Sequence, residues 1–196
     1  MALKNSITTS DYLPYEEYER LLSKLREDED YYMEMFARLS FCTACRISDV
    51  LNLKWGDILN QTHSVVVEKK TGKSRVVMFN PSVRAKLNEL WHLMGCPEKD
   101  KYIFETPWSK GLPASRQSIN RNLKRLKAKY RLKIGNFSSH TFRKTFGRFV
   151  YEKNNKSAES LLLLNKILRH GSLNVTKVYI GITQDEINDI FNSIQF

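Results

Sequence analysis

The stretch from Ser64 to Phe79 constrains the fold more than any other part of the chain. SVVVEKK and SRVVMF are two β-branched runs separated by Thr71-Gly72-Lys73, and such runs around a glycine-containing turn form an antiparallel hairpin. It is the clearest strand signal in 196 residues, with KYIF at 101–104 reading as a short strand or a turn. A fold that includes this hairpin and little other sheet must build its core from helices.

The flanking segments supply them. Pro14 suits the first turn of a helix carrying Tyr15, Tyr18, Leu21, Leu22 and Leu25 on one face. Residues 31–44 are apolar all round and read as a buried helix, followed by a short helical segment starting at Ser48 or Asp49 and ending at Gly56-Asp57. Asn80-Pro81 is an N-cap with proline at N1, opening a helix to about Met94 with Val83, Leu87, Leu90 and Trp91 on one face. Residues 115–130 put Ile119, Leu123 and Leu126 on one face and six basic side chains on the others, which suits either a DNA groove or an ordinary solvated helix. Helices at 141–151 and 157–169 follow, then a break at Gly171-Ser172. Finally, Ile187, Ile190, Phe191 and Ile194 fall at helical spacing near the end. The expected class is therefore α+β, mainly helical with a small antiparallel β-sheet. One domain spans residues 13–196 behind a flexible polar segment at 1–12, without internal repeats or linkers.

Charge narrows the partner. With 32 Lys and Arg against 21 Asp and Glu, the net charge is +11, and a polyanion is its natural complement. The sequence contains neither an apolar run of membrane-spanning length nor a signal peptide, so a cytoplasmic protein that does not engage a membrane is expected. Three cysteines are too few for a disulfide framework. Two motifs are false friends. Thr71-Gly72-Lys73-Ser74 ends like a phosphate-binding loop, but Val67 stands where its first glycine belongs, and Cys42-Thr43-Ala44-Cys45 has no second pair at zinc spacing.

Three separated segments place unusual polar groups beside apolar elements: Arg46 in TACRISDVLNL, His140 and Arg143 in SSHTFRKTFG, and His170 with Tyr179 in ILRHGSLNVTKVYI. Planar guanidinium forks suit the non-bridging oxygens of a phosphate under attack. His-x-x-Arg puts both side chains on one face of a helical turn. Taken singly, each residue has an ordinary reading as a surface ion-pair partner, a cap or a core histidine.

Together, the order Arg46, a hairpin lysine, His140-x-x-Arg143, His170 and, nine residues on, Tyr179 resembles the active-site pattern of the tyrosine recombinases, or phage integrases. The resemblance runs from about Asp11 to the C-terminus. It implies a recombinase catalytic domain that cleaves and rejoins double-stranded DNA through a 3′-phosphotyrosine. Tyr179 is then the nucleophile, Arg46 and Arg143 bind the phosphate, His140 accepts or shares the tyrosine proton, and His170 donates a hydrogen bond to the phosphate. Lys70, with Lys69 and Lys73 as close rivals, is the general acid for the departing 5′ oxygen. This chemistry requires no cofactor or metal, since the phosphotyrosine conserves the bond energy.

The resemblance also implies a monomer in solution and a tetramer on DNA, with the segment after the tyrosine packing on a neighbour or on its own core. Too few residues precede the first helix for the family's separate N-terminal domain. An excised catalytic domain, or a single-domain member similar to the fimbrial switch invertases, is expected. The sequence departs from the family in two places: Lys144 stands where a second histidine is common, and Arg169 where Leu-Gly-His has glycine. Arginine adopts glycine's positive-φ conformations only at a cost. Rival readings are a catalytically silent DNA-binding protein and a type IB topoisomerase-like enzyme.

Overall fold

The computed structural model describes residues 10–106, 108, 110–182 and 192–193. Helix α1 (Tyr15–Glu27) begins directly after Pro14, which serves as its N-cap, and buries Tyr18, Leu21, Leu22 and Leu25 as the periodicity requires. Helix α2 (Tyr31–Thr43) is capped by Asp30, whose carboxylate accepts from the Met33 amide, and is buried on most sides. It forms the centre of the main core. Glu34 lies fully buried within it and is held by Arg26 at 2.8 and 3.0 Å and Arg38 at 2.8 Å, the pairing that a buried carboxylate needs.

Ala44 ends α2 in the left-handed conformation, φ 48°. The short helix α3 (Ile47–Leu51) starts one residue earlier than Ser48, with Arg46 as its N-cap. Strands β1 (His63–Val67) and β2 (Ser74–Met78) pair antiparallel, from His63 with Met78 to Val67 with Ser74. Period-two alternation turns Ser64, Val66 and Glu68 inward and leaves Val65, Val67, Val76 and Met78 exposed. The turn closes on Glu68, whose carbonyl accepts from the Thr71 and Gly72 amides at 3.2 and 2.8 Å. Gly72 supplies the positive φ of 68° that this turn requires.

Helix α4 (Pro81–Leu93) starts as expected, with the Asn80 side chain accepting from the Val83 amide at 2.9 Å. Helix α5 (Arg116–Lys129) is capped by Ser115 and buries Ile119, Leu123 and Leu126. Helix α6 (Ser139–Lys153) opens with a capping box, and α7 (Ala158–Leu168) is capped by Ser157. Helix α8 (Leu173–Tyr179) was not evident in the sequence, where Gly171-Ser172 reads as a break. Ser172 is in fact its N-cap, accepting from the Val175 amide. The apolar stripe at Ile187, Ile190, Phe191 and Ile194 lies outside the described residues, as do residues 1–9. Residues 10–12 are held in place: the Asp11 amide donates to the Asn136 carbonyl at 3.0 Å and its carboxylate accepts from the Asn136 amide at 2.9 Å. No helix among the described residues is long and apolar enough to cross a membrane.

Among the described residues the buried side chains form two clusters. The larger is built on α1 and α2 and reaches the hairpin, α4 and α5; the smaller comprises Ala44, Tyr151, Leu161, Leu164, Leu168, Tyr179 and Ile180. Helix α6 runs between them, packing against α2 and α7. The smaller cluster depends on Gly147, where a Cβ would come within 2.7 Å of Ile180 Cγ2. Ile180 is β-branched and stiff. Gly147→Ala is therefore expected to destabilise the fold by about 1–3 kcal/mol through overpacking. Urea denaturation measures this, and an unchanged midpoint would show that Ile180 moves aside freely.

Candidate active site

The two clusters meet where α2 and α7 end, and arginines hold the junction. Arg143, in α6 and only 3% exposed, donates to the carbonyl of Ala44 and to that of Leu168, the latter at 2.6 Å. Arg75, from β2, donates to the Thr43 carbonyl and to that of Ile167 at 2.9 Å. The last carbonyls of a helix lack intrahelical partners and carry partial negative charge, so guanidinium groups gather there for a plain electrostatic reason.

Arg46 leaves the same junction at the start of α3 and donates to Glu68 Oε2 at 2.8 Å. Burial pushes the Glu68 carboxyl up, but hydrogen bonds from Arg46 and Thr71 outweigh that and hold it below the usual carboxylate range. Asp49 fixes the hairpin from the α3 side, its Oδ1 accepting from the Lys69 amide at 3.0 Å. Lys70 projects from the turn rather than from the end of β1, because the strand stops at Val67. Lys69, Lys70 and Lys73 are all exposed.

His140 stands in the first turn of α6, fixed by the Ser138 cap, with Arg143 one turn further on. His170 follows α7; its Nδ1 lies 3.1 Å from Thr176 Oγ1, and its ring meets that of Tyr179 edge to face, with 4.7 Å between centroids. Tyr179 ends α8 and is 9% exposed, with the Lys144 ammonium 5.2 Å from its ring centroid. The Tyr179 hydroxyl is buried and has no hydrogen bond of normal geometry among the described residues. Burial raises this phenol above its ordinary value, opposed by the neighbouring charge of Arg143, then by the close polar contact of the same guanidinium, and then by the charge of Arg46.

The same two arginines act on both histidines. Burial, reinforced by Arg143, Lys144, Arg46 and Arg116, lowers His140 to about 4, and burial with Arg143 and Arg46 lowers His170 to about 4. Two arginines, two uncharged imidazoles and one phenol thus share one electrostatic neighbourhood, in the order the sequence presents them. An uncharged imidazole accepts a proton on one nitrogen and donates a hydrogen bond from the other.

These values fix a pH dependence. An unfolded histidine titrates near 6.5. Between pH 6.5 and 4 the unfolded chain therefore binds more protons than the folded one, and stability falls as pH drops through that window. The melting temperature is expected to decline across it, and less steeply in a His140→Gln/His170→Gln variant. Equal slopes for the two proteins would contradict buried neutral imidazoles.

Sequence reasoning missed Glu68, Arg75 and Arg169 as ties within this site. Glu68 was accessible to it, since alternation from Ser64 and Val66 already directs residue 68 inward. The two arginines carry no local signal, because their partners lie more than 30 positions away. The cysteines of the CxxC segment are packing groups, and burial pushes the Cys42 thiol up to about 12. The P-loop-like tetrapeptide is the hairpin turn.

The family model described as "Phage integrase family" matches residues 11–186. The chain belongs to that family. It is 32% identical over 172 residues to "Probable integrase/recombinase YoeC" of Bacillus subtilis (strain 168), covering 85% of this chain and 90% of that one. It spans about half the length of the other curated relatives it matches, which are named tyrosine recombinases. Its fold is similar to the crystal structure of XerA recombinase, with TM-score 0.72 and 20% identity over 98% of this chain and 68% of that one. It is equally similar to XerH site-specific recombinase bound to a palindromic difH substrate, with TM-score 0.72 and 19% identity over 95% and 54%. The family's hairpin-and-helix architecture is therefore the architecture of this chain.

Proposed function

We propose that this protein cleaves and rejoins double-stranded DNA by attack of Tyr179 on a backbone phosphate. The observation that carries the reading is the convergence of Arg46, Arg143, His140 and His170 around a buried tyrosine. The Tyr179 oxygen forms a bond to phosphorus, and the bond to the 5′ oxygen breaks, leaving a 3′-phosphotyrosine and a 5′-hydroxyl. The phenol proton passes to neutral His140, and Lys70 supplies a proton to the departing oxygen. Arg46 and Arg143 bind the non-bridging oxygens, where charge develops, and His170 donates to the same phosphate. Rejoining is the reverse attack by a 5′-hydroxyl, so no external energy source enters.

The net charge of +11 supports a phosphate-rich partner. That the XerH relative is held on a palindromic substrate favours subunits paired about a twofold axis on DNA. Assembly of a monomer into a tetramer on two sites is the corresponding expectation.

The test is incubation with a pool of random-sequence nicked duplexes, followed by denaturing gels and peptide mapping. The nick lets the leaving strand diffuse away and traps the adduct. A DNA adduct on Tyr179 supports the proposal; an adduct on another tyrosine overturns the site. Binding without any adduct across the pool would favour a silent DNA-binding protein. Recombinant products from two captured sites, as opposed to relaxed circles, separate a recombinase from a topoisomerase-like enzyme.

A further inference from the structure

Arg169 occupies a conformation that arginine rarely adopts, φ 50° and ψ 49°, as the C-cap of α7. For a residue with a Cβ this costs roughly 1–2 kcal/mol relative to the right-handed region, so the side chain must return something that glycine would not. What it returns is a bridge. One guanidinium nitrogen donates to the Ser74 carbonyl at 2.6 Å; the other donates to the Lys73 carbonyl at 3.5 Å and lies 3.8 Å from Glu68 Oε2. These acceptors flank the turn that carries Lys70, with Glu68 before it and Lys73 and Ser74 after it. On the other side, the next residue in the chain is His170, in ring contact with Tyr179. Glu68 in turn holds Arg46.

We propose that Arg169 is a positioning residue that locks the Lys70 turn to the histidine and tyrosine end of the site. This rests on the reading of Lys70 as proton donor. An exposed lysine on a four-residue turn samples many positions, and a donor displaced by about 1 Å can lose on the order of a hundredfold in rate. The β-strands themselves do not supply the lock. Arg75 ties the body of β2 to α2 and α7, whereas the turn's other cross-chain ties, Lys69 to Asp49 and Glu68 to Arg46, reach only toward α3. Arg169 alone among these ties connects the turn to the segment bearing His170. Because its side chain bonds the turn's backbone, it acts on the leaving-oxygen step and not on the attack by Tyr179.

That difference can be measured. Once the scissile position is mapped, the bridging 5′ oxygen is replaced by sulfur, which departs as a thiolate and needs no proton. Arg169→Gly removes the bridge and also relieves the backbone, so the variant should fold, as a thermal melt verifies. On ordinary DNA its single-turnover cleavage should fall about tenfold to a hundredfold; on the sulfur-bridged duplex it should return to within about threefold of the unaltered protein. Lys70→Ala, run beside it, should show the same rescue. If Arg169→Gly cleaves ordinary DNA at full rate, or if its loss persists with sulfur while Lys70→Ala is rescued, the positioning role is wrong. If Lys70→Ala is itself not rescued, Lys70 is not the proton donor and the proposal fails with that reading.

Discussion

Replacing Tyr179 with phenylalanine is expected to abolish strand cleavage while leaving the protein at least as stable as before. The substitution removes one oxygen from a side chain that is part of the smaller core cluster, and the ring continues to fill that space. The hydroxyl has no hydrogen bond of normal geometry among the described residues, only the polar contact of the nearby Arg143 guanidinium, and a buried polar group without a full partner costs about 1–3 kcal/mol. Its loss should therefore hold or raise the melting temperature, and DNA affinity should stay near that of the unaltered protein, because the basic surface is untouched. Adduct formation on nicked duplexes, DNA binding and thermal melting are the three readouts. Residual adduct in the Phe variant would remove Tyr179 as the nucleophile, and a lower melting temperature would mean that the hydroxyl is satisfied after all.

Arg143→Ala is expected to fail in both stability and chemistry. The truncation deprives the Ala44 and Leu168 carbonyls of their donors and opens space between the two clusters. Losing partners for two buried acceptors should cost about 2–4 kcal/mol. With the phosphate-binding role proposed above, the loss of Arg143 should lower single-turnover cleavage by a further hundredfold to thousandfold, measured below the variant's melting temperature. Arg143→Lys retains a charge but not the fork, so it should recover stability better than rate. A stable Arg143→Ala protein would show the carbonyl ties to be idle, and undiminished cleavage would assign phosphate binding elsewhere.

What the sequence disclosed and what it withheld follow a physical divide. The hairpin, the Asn80-Pro81 start of α4, and the helices at 116–129, 139–153 and 158–168 were legible because alternation, caps and apolar stripes are local properties. Helix α8 was not, because seven residues give too few turns for a periodic stripe, and its Ser172 cap looks like the loop that precedes it. In the site, the order from Arg46 to Tyr179 disclosed which residues to consider. That Arg46 leans on Glu68, that Arg143 ties two helix ends, and that Arg169 reaches the hairpin are contacts across 22 positions or more. No window of neighbouring residues contains them.

The division of the core into a large and a small cluster also bears on how this protein responds to heat. Among the described residues the small cluster holds seven buried side chains, one of them Tyr179, whereas the large one extends from α1 to the start of α6. Regions with few buried apolar contacts open at lower free energy than the molecule as a whole. Warming should therefore loosen α7 and α8 while α1 and α2 remain folded, so that inactivation precedes melting and is reversed on cooling. On that expectation the smaller core sets the working temperature, and the larger one determines how well the protein survives an excursion above it.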